Sequence, residues 1–376
     1  MIDLFPTVLY SCMLGMVLMA LLQVFKRPAQ KQNFYLQGLF VLLLVHLLGE
    51  LFIYSGAYVY APGLAGLQLP FRLLLGPALY LYAHATMSAE KAVDKKILWL
   101  AAAGPILVVV AMLPFMFLIS PAEKLALASP ATRDPELWRI ALFTCLFSTV
   151  TFIVFTAVFL ILSLKLHSAH VQQLMERFSE IEHNSLAWFR SILWVWGAVW
   201  LLFSVEFMAG AMGWLWVGSG KLLPTLEVIA LGIFIQKSLA QKILEQSEKG
   251  APRTSQPREA IISSEKMQLI ASKLHRAMVE DKLFLQDDLS LNRLSQAIAE
   301  TENHISETLS QHLNTRFFQF VNRYRVEEAK RELAQSDKLI TTIAFDVGFN
   351  SKSTFNTAFK NMTGHSPSVY RNSLNQ

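Results

Sequence analysis

Charge is scarce in this 376-residue chain: 16% of residues are Asp, Glu, Lys or Arg, while 53% are hydrophobic. Together with a mean hydropathy of +0.38, that excludes an ordinary soluble protein, and the charge that remains excludes a purely membrane one. Cysteine is nearly absent. Cys12 and Cys145 both fall in apolar runs, which argues against a disulfide and reads as two buried, inert thiols. The chain has no Gly-rich phosphate loop, which argues against an ATP-dependent kinase. Its apolar runs hold neither H-E-x-x-H nor paired Asp, which argues against a zinc or intramembrane protease. A retinal-type receptor needs a lysine midway along its last span, but here Lys221 and Lys237 only flank it. His167, His170 and His183 share one loop without a Cys or a tight carboxylate spacing, so no metal site is expected. Neither an enzyme nor a cofactor is expected. No A-x-A cleavage site follows the first apolar run, which is therefore read as a retained helix rather than a removed signal peptide.

The apolar residues are crowded between 4 and 237. Crossing roughly 30 Å of hydrocarbon takes about 20 apolar residues in a helix, and seven spans are expected: 4–25, 34–54, 70–87, 97–119, 139–164, 186–209 and 222–237. Arg72 in the third and Glu227 in the short seventh are the anomalies. One set of connections holds eight basic residues, Lys26, Arg27, Lys31, Lys91, Lys95, Lys96, Lys165 and Arg177. The other holds three, Lys124, Arg133 and Lys221. Basic loops face the cytoplasm, so the expectation is a bacterial inner-membrane protein with its N-terminus periplasmic and its C-terminal part cytoplasmic.

From about Gln241 charges of both signs return. The stretch SEKGAPRTSQPRE, Ser247 to Glu259, is rich in Pro, Ser, Gly and charge and reads as a linker. The expected division is thus 1–240 as a seven-span domain, 241–259 as a linker and 260–376 as a helical domain. In that last domain a helix-turn-helix pattern occurs twice. Ile343, Ala344 and Val347 form an apolar face, Gly348 permits a left-handed turn residue, Ser351 caps the next helix, and Phe355 and Phe359 point it into the core. Its other face offers Lys352, Ser353, Asn356, Thr357 and Lys360. Upstream, Leu291, Leu294, Ser295 and Ile298 form the first helix of another unit. Thr301 caps its second helix, Ile305 and Leu309 bury it, and Asn303, His304, Ser306, Glu307 and Ser310 face outward. Between the copies, Phe317 to Leu333 has a helical apolar stripe through Phe320, Val321, Tyr324 and Leu333. A rod of this kind fixes the spacing of two readers, and successive major grooves lie about 34 Å apart. The fold class expected is all-α, a seven-helix transmembrane bundle followed by two helix-turn-helix units joined by a long helix.

Over roughly its last 110 residues the chain resembles the DNA-binding domain of AraC/XylS-type transcription regulators. The residues that carry the resemblance are Ile343, Ala344, Val347, Gly348, Phe349, Ser351, Ser353, Phe355, Phe359, Lys360, Gly364, Ser366, Pro367, Tyr370 and Arg371, with Arg325, Ala329 and Leu333 in the joining helix. Thr357, where many relatives carry Arg, and Glu300, at a turn position usually apolar, depart from the pattern. The resemblance implies sequence-specific binding of double-stranded DNA near promoters, with both recognition helices in the major groove, usually as an activator, and RNA polymerase as a partner. The expected DNA contacts are then Asn303, His304, Ser306, Glu307, Ser310, Ser351, Lys352, Ser353, Asn356, Thr357 and Lys360.

Charge tempers that expectation. From His304 to Gln376 nine Lys or Arg stand against six Asp or Glu, nine minus six leaving +3, so phosphate attraction is modest. Tethering to the bilayer concentrates the readers, and a homodimer doubles their contacts. Within the spans, buried charge costs several kcal/mol unless paired or wet. His46, Glu50, Arg72, Glu206 and Glu227 fall in one leaflet of the assigned topology and are the candidate ligand-sensing residues. His46 and Glu50 lie one turn apart on one face. Pro77 and Pro224 are candidate kinks beside them. The reading is a one-component regulator whose DNA binding answers a small-molecule or membrane signal. Its alternative is a membrane receptor or transporter whose tail serves protein interaction or non-specific DNA anchoring.

Overall fold

The computed structural model describes residues 3–88, 92–129, 131–179, 186–211, 220–241 and 262–374. Every named element among them is a helix, and the single bridge, Phe178 with Ser290, forms no strand. The chain divides into two compact units: 1–167 with 188–245, and 168–187 with 246–376.

In the first unit seven segments are long and apolar enough to cross a membrane. Helices α1 (Leu4–Phe25) and α2 (Lys31–Tyr54) pack together, α1 also meets α9 (Leu222–Ala240), and α2 meets α4 (Leu75–Met87). Helix α5 (Lys95–Phe117) packs on the short α3 (Leu69–Leu73). Helix α6 (Pro121–Leu127) opens with a capping box: Glu123 N–H donates to Ser120 Oγ, and Ser120 N–H to the Glu123 carboxylate. Helices α7 (Pro135–Arg177) and α8 (Ala187–Ala211) complete the set. On α5, Ile106, Val110 and Phe117 all face outward. A helix apolar on every side suits lipid better than water.

The expected spans stand with shifted edges, and three readings change. The third span is two helices broken at Leu74, because the ring of Pro77 cannot accommodate the carbonyl of Leu73 in a continuous helix. Pro224 is the third residue of α9, in a first turn where its missing N–H leaves no helical bond unmade, so it introduces no kink there. Cys12 and Cys145 are exposed rather than buried: an apolar run predicts burial only when the surroundings are water. Helix α7 has 43 residues, about 65 Å at 1.5 Å per residue, twice what one crossing needs.

The second unit holds α10 (Ser264–Val279), α11 (Leu291–Ile298), α12 (Glu302–Glu307) with a π turn over Thr308–His312, α13 (Phe317–Gln335), α14 (Ile340–Asp346), α15 (Lys352–Thr363) and α16 (Pro367–Leu374). Side-chain caps set its helix starts: Ser263, Ser290, Thr301 and Ser351 each accept from the backbone N–H three residues on. Helix α13 belongs to two cores. Phe317, Phe320 and Val321 enter the first with Ile270, Leu294 and Ile305, whereas Val326, Ala329 and Leu333 enter the second with Ile343, Phe355 and Phe359. The expected linker lies almost wholly outside the described residues, and so does His183. Residues 168–179, which the sequence division assigns to the apolar half, pack in this unit.

Candidate functional site

Helix α15 is positioned from the inside. Phe355, Ala358 and Phe359, spaced i, i+3 and i+4, are buried, and Phe355 lies edge-on to Phe349 with ring centroids 5.3 Å apart. The opposite face therefore exposes Lys352, Ser353, Thr357 and Lys360, while Asn356 is half-buried. The hydroxyl of Ser351 accepts from Thr354 N–H at 3.1 Å, so its first role is the cap. On the other reader Asn303 and Ser310 are exposed, while His304, Ser306 and Glu307 are half-buried. His304 Nδ1 lies 3.6 Å from Glu300, and Glu300 also accepts from Lys273 at 2.7 Å. That hydrogen bond is the main reason the Glu300 carboxyl is held below the usual carboxylate range.

Many cations of the unit are already engaged. Lys338 bridges Glu332 and Asp346 at 3.2 and 2.9 Å, and those acceptors raise its pKa. Lys330 and Arg331 pair with Glu327 and Glu328. On α15 both cations, Lys352 and Lys360, are exposed and enter no ion pair among the described residues, which leaves them available to phosphate.

Sequence reasoning did not anticipate what locks the two readers together. Arg325 is fully buried. It donates to the carbonyls of Phe284 and Gln286, both at 2.7 Å, and to the Ser179 hydroxyl at 3.2 Å. Its guanidinium lies 5.5 Å from the centroid of the Phe349 ring. The turn of the second reader comes equally close: a Cβ on Gly348 would sit 2.6 Å from the carbonyl oxygen of Phe284. Such contacts join residues far apart in the chain and leave no periodic mark in it.

In the first unit the structure brings together four of the five predicted sensing residues. Glu50 on α2 lies 3.6 Å from Arg72 on α3 and 3.8 Å from His46. The Arg72 guanidinium packs 3.9 Å from the Phe203 ring centroid and 4.7 Å from that of Phe152. Glu227 accepts from the Tyr10 hydroxyl at 2.9 Å, and His46 and Glu227 line one cavity with Trp196 and Trp200. Glu206 accepts from the backbone of Gly220; among the described residues no hydrogen bond or ion pair ties it to the other four, and it meets Glu227 only through their like charges. Tyr10, Trp196 and Trp200 escaped a search for ionisable residues, because neutral phenols and indoles merge into the apolar run around them.

Comparison with known proteins places the second unit. Residues 294–373 match the family model described as a helix-turn-helix domain. A Staphylococcus aureus protein described as an uncharacterized HTH-type transcriptional regulator is 30% identical over 136 residues, 36% of this chain and 17% of that one. The raffinose operon transcriptional regulatory protein RafR of Pediococcus pentosaceus is 40% identical over 63 residues, 17% of this chain and 23% of that one. The chain thus spans about a fifth of the length of these relatives. A solved structure, the C-terminal domain of AraT, a response regulator from Geobacillus stearothermophilus, aligns with 29% of this chain and 86% of its own at 27% identity and a TM-score of 0.26. The C-terminal part of this chain is a helix-turn-helix domain of the AraC type.

Proposed function

We propose that this protein is a one-component transcription regulator of the bacterial inner membrane, in which the seven-helix unit senses a signal and the helix-turn-helix unit binds double-stranded DNA at promoters. The observation that carries the reading is the joining of an AraC-type reader, with a cationic outward face at Lys352 and Lys360, to seven helices apolar enough for a bilayer. In this reading Asn303, Ser310, Ser353, Asn356 and Thr357 face base edges, Lys352 and Lys360 hold phosphates, and His304, Ser306 and Glu307 border the contact. Ser351 acts through the cap it forms, presenting the first turn of α15 to the groove. RNA polymerase and a second copy of the chain are the partners it calls for. A signal controls binding only through unequal affinity for two packings of the seven helices.

Chromatin immunoprecipitation of full-length protein tests this, comparing the wild type with the Lys352→Ala, Asn356→Ala double variant. Discrete promoters bound by the wild type should be lost from the variant, with membrane insertion unchanged. Each phosphate-binding lysine removed should also flatten the salt dependence of binding by roughly one unit of log–log slope. Occupancy equal in both proteins would favour instead a receptor whose tail serves protein interaction or a non-specific anchor.

A further inference from the structure

Among α1, α2, α4, α8 and α9 lies a cavity of about 50 Å³, lined by Met13, His46, Trp196, Trp200, Glu227 and Leu231 among others. A water needs roughly 10–15 Å³ measured in this way, so there is room for more than one solvent-sized group. The lining residues are mostly apolar, but His46 and Glu227 are among them, and each has a side-chain atom without a described partner. The buried His46 Nδ1 has no hydrogen-bond partner, its nearest acid, Glu50, being 3.8 Å away. Glu227 accepts from Tyr10 at Oε2, and no described residue donates to its Oε1.

Charge bookkeeping around the cavity gives the sign of the occupant. Arg72 lies 3.6 Å from Glu50, so the guanidinium already has a carboxylate. Glu227 accepts only the hydrogen bond of a phenol and shares the field of the same Arg72, so two carboxyls stand against one guanidinium. Two indole rings, their centroids 5.8 Å apart, complete the wall. Two carboxyls against one guanidinium, an imidazole and two indole rings together favour a donor that carries positive charge. The same set repels an anion and offers a neutral alcohol only part of its interactions.

We propose that this cavity is a binding site for a short aliphatic amine, whose ammonium group sits between Glu227 and His46 and whose hydrocarbon lies against Met13, Leu231 and the two tryptophans. The proposal rests on reading the seven-helix unit as the sensing half and gives that half a ligand class.

Isothermal titration of the full-length protein in lipid nanodiscs with n-butylammonium, n-butanol and butyrate tests it. The cation should bind at least about tenfold more tightly than the alcohol, a difference of about 1.4 kcal/mol, and butyrate more weakly than either. Glu227→Gln should bring amine and alcohol to within about twofold. Ala230→Leu, which fills the cavity and keeps every charge, should abolish amine binding and so covers the case in which the Glu227 variant fails to fold. Equal affinities for amine and alcohol, no binding of any of the three, or amine binding unchanged by Ala230→Leu would overturn the site. Butylammonium bound with the expected selectivity but without effect on promoter occupancy would uphold the site and count against signal control of DNA binding, so the two failures are separable.

Discussion

At Gly348 the backbone adopts φ +92°, and a Cβ there would lie 2.6 Å from the Phe284 carbonyl oxygen and 2.9 Å from that of Leu285. The first constraint was legible in the sequence as the turn of a helix-turn-helix. The second was not, because Phe284 stands far upstream. Gly364 is a natural control, with φ +79° and nothing within 4 Å of its would-be Cβ. Gly364→Ala should therefore cost only the left-handed strain, about 1 kcal/mol. Gly348→Ala adds a collision with rigid backbone and should cost about 3 kcal/mol or more, read as lost hydrogen-exchange protection across α14 and α15 in the full-length protein. Equal costs at the two sites would mean that the close approach does not constrain the turn. The first reader solves the same turn less well, with Ala299 at φ 52°. Ala299→Gly should stabilise α11 and α12 by about 0.5–1 kcal/mol in the same measurement.

At the scale of elements, caps and amphipathic faces were legible, since Thr301 and Ser351 precede helices whose buried residues recur every three to four positions. Less legible was what each element leans on. Glu300, which departs from the family pattern, ties the turn between α11 and α12 to α10 through Lys273. A carboxyl whose pKa is depressed by folding stabilises fully above its unfolded value of about 4.3, and the contribution is lost as pH falls through the folded value. The protection of α10–α12, corrected for intrinsic exchange, should thus fall on acidification below the ordinary carboxylate range. Glu300→Gln should lose that part of the pH dependence while leaving α14–α16 unaffected. A variant with the wild-type acid profile would assign the transition to other carboxylates. In the seven-helix unit the ionisable residues pointed to Glu50, Arg72 and His46 because charge in an apolar run is conspicuous. The neutral half of the cluster, Tyr10 with Trp196 and Trp200, gave no such signal, and among the described residues no hydrogen bond or ion pair joins Glu206 to the rest.

For the whole molecule, hydropathy divides the chain at the linker, but packing divides it differently. Helix α7 contributes residues through His167 to the first unit, and residues 168–187 belong to the second. There Ser179 is fully buried. Its hydroxyl donates to the Leu289 carbonyl at 2.6 Å and accepts from Arg325 at 3.2 Å, and its carbonyl accepts from Arg325 and Asn322, both at 3.4 Å. Hydropathy could not foresee this, because a serine after an apolar helix resembles any loop residue. The consequence is that a tail cut at the linker, 246–376, lacks the two Ser179 acceptors of a buried guanidinium, whose place water must then take. Hydrogen bonds to charged groups contribute about 1.5–3 kcal/mol each, and solvent recovers part of that. The tail should accordingly be about 1–3 kcal/mol less stable in urea, followed by circular dichroism, than the same tail with 168–187 fused ahead of it through a flexible spacer. Ser179→Ala in the fused protein should lose part of the gain, because it removes the hydroxyl and leaves the carbonyl. If fusion adds nothing, the buried contacts of Ser179 do not hold in solution, and Arg325 is satisfied by Phe284, Gln286 and Asn322.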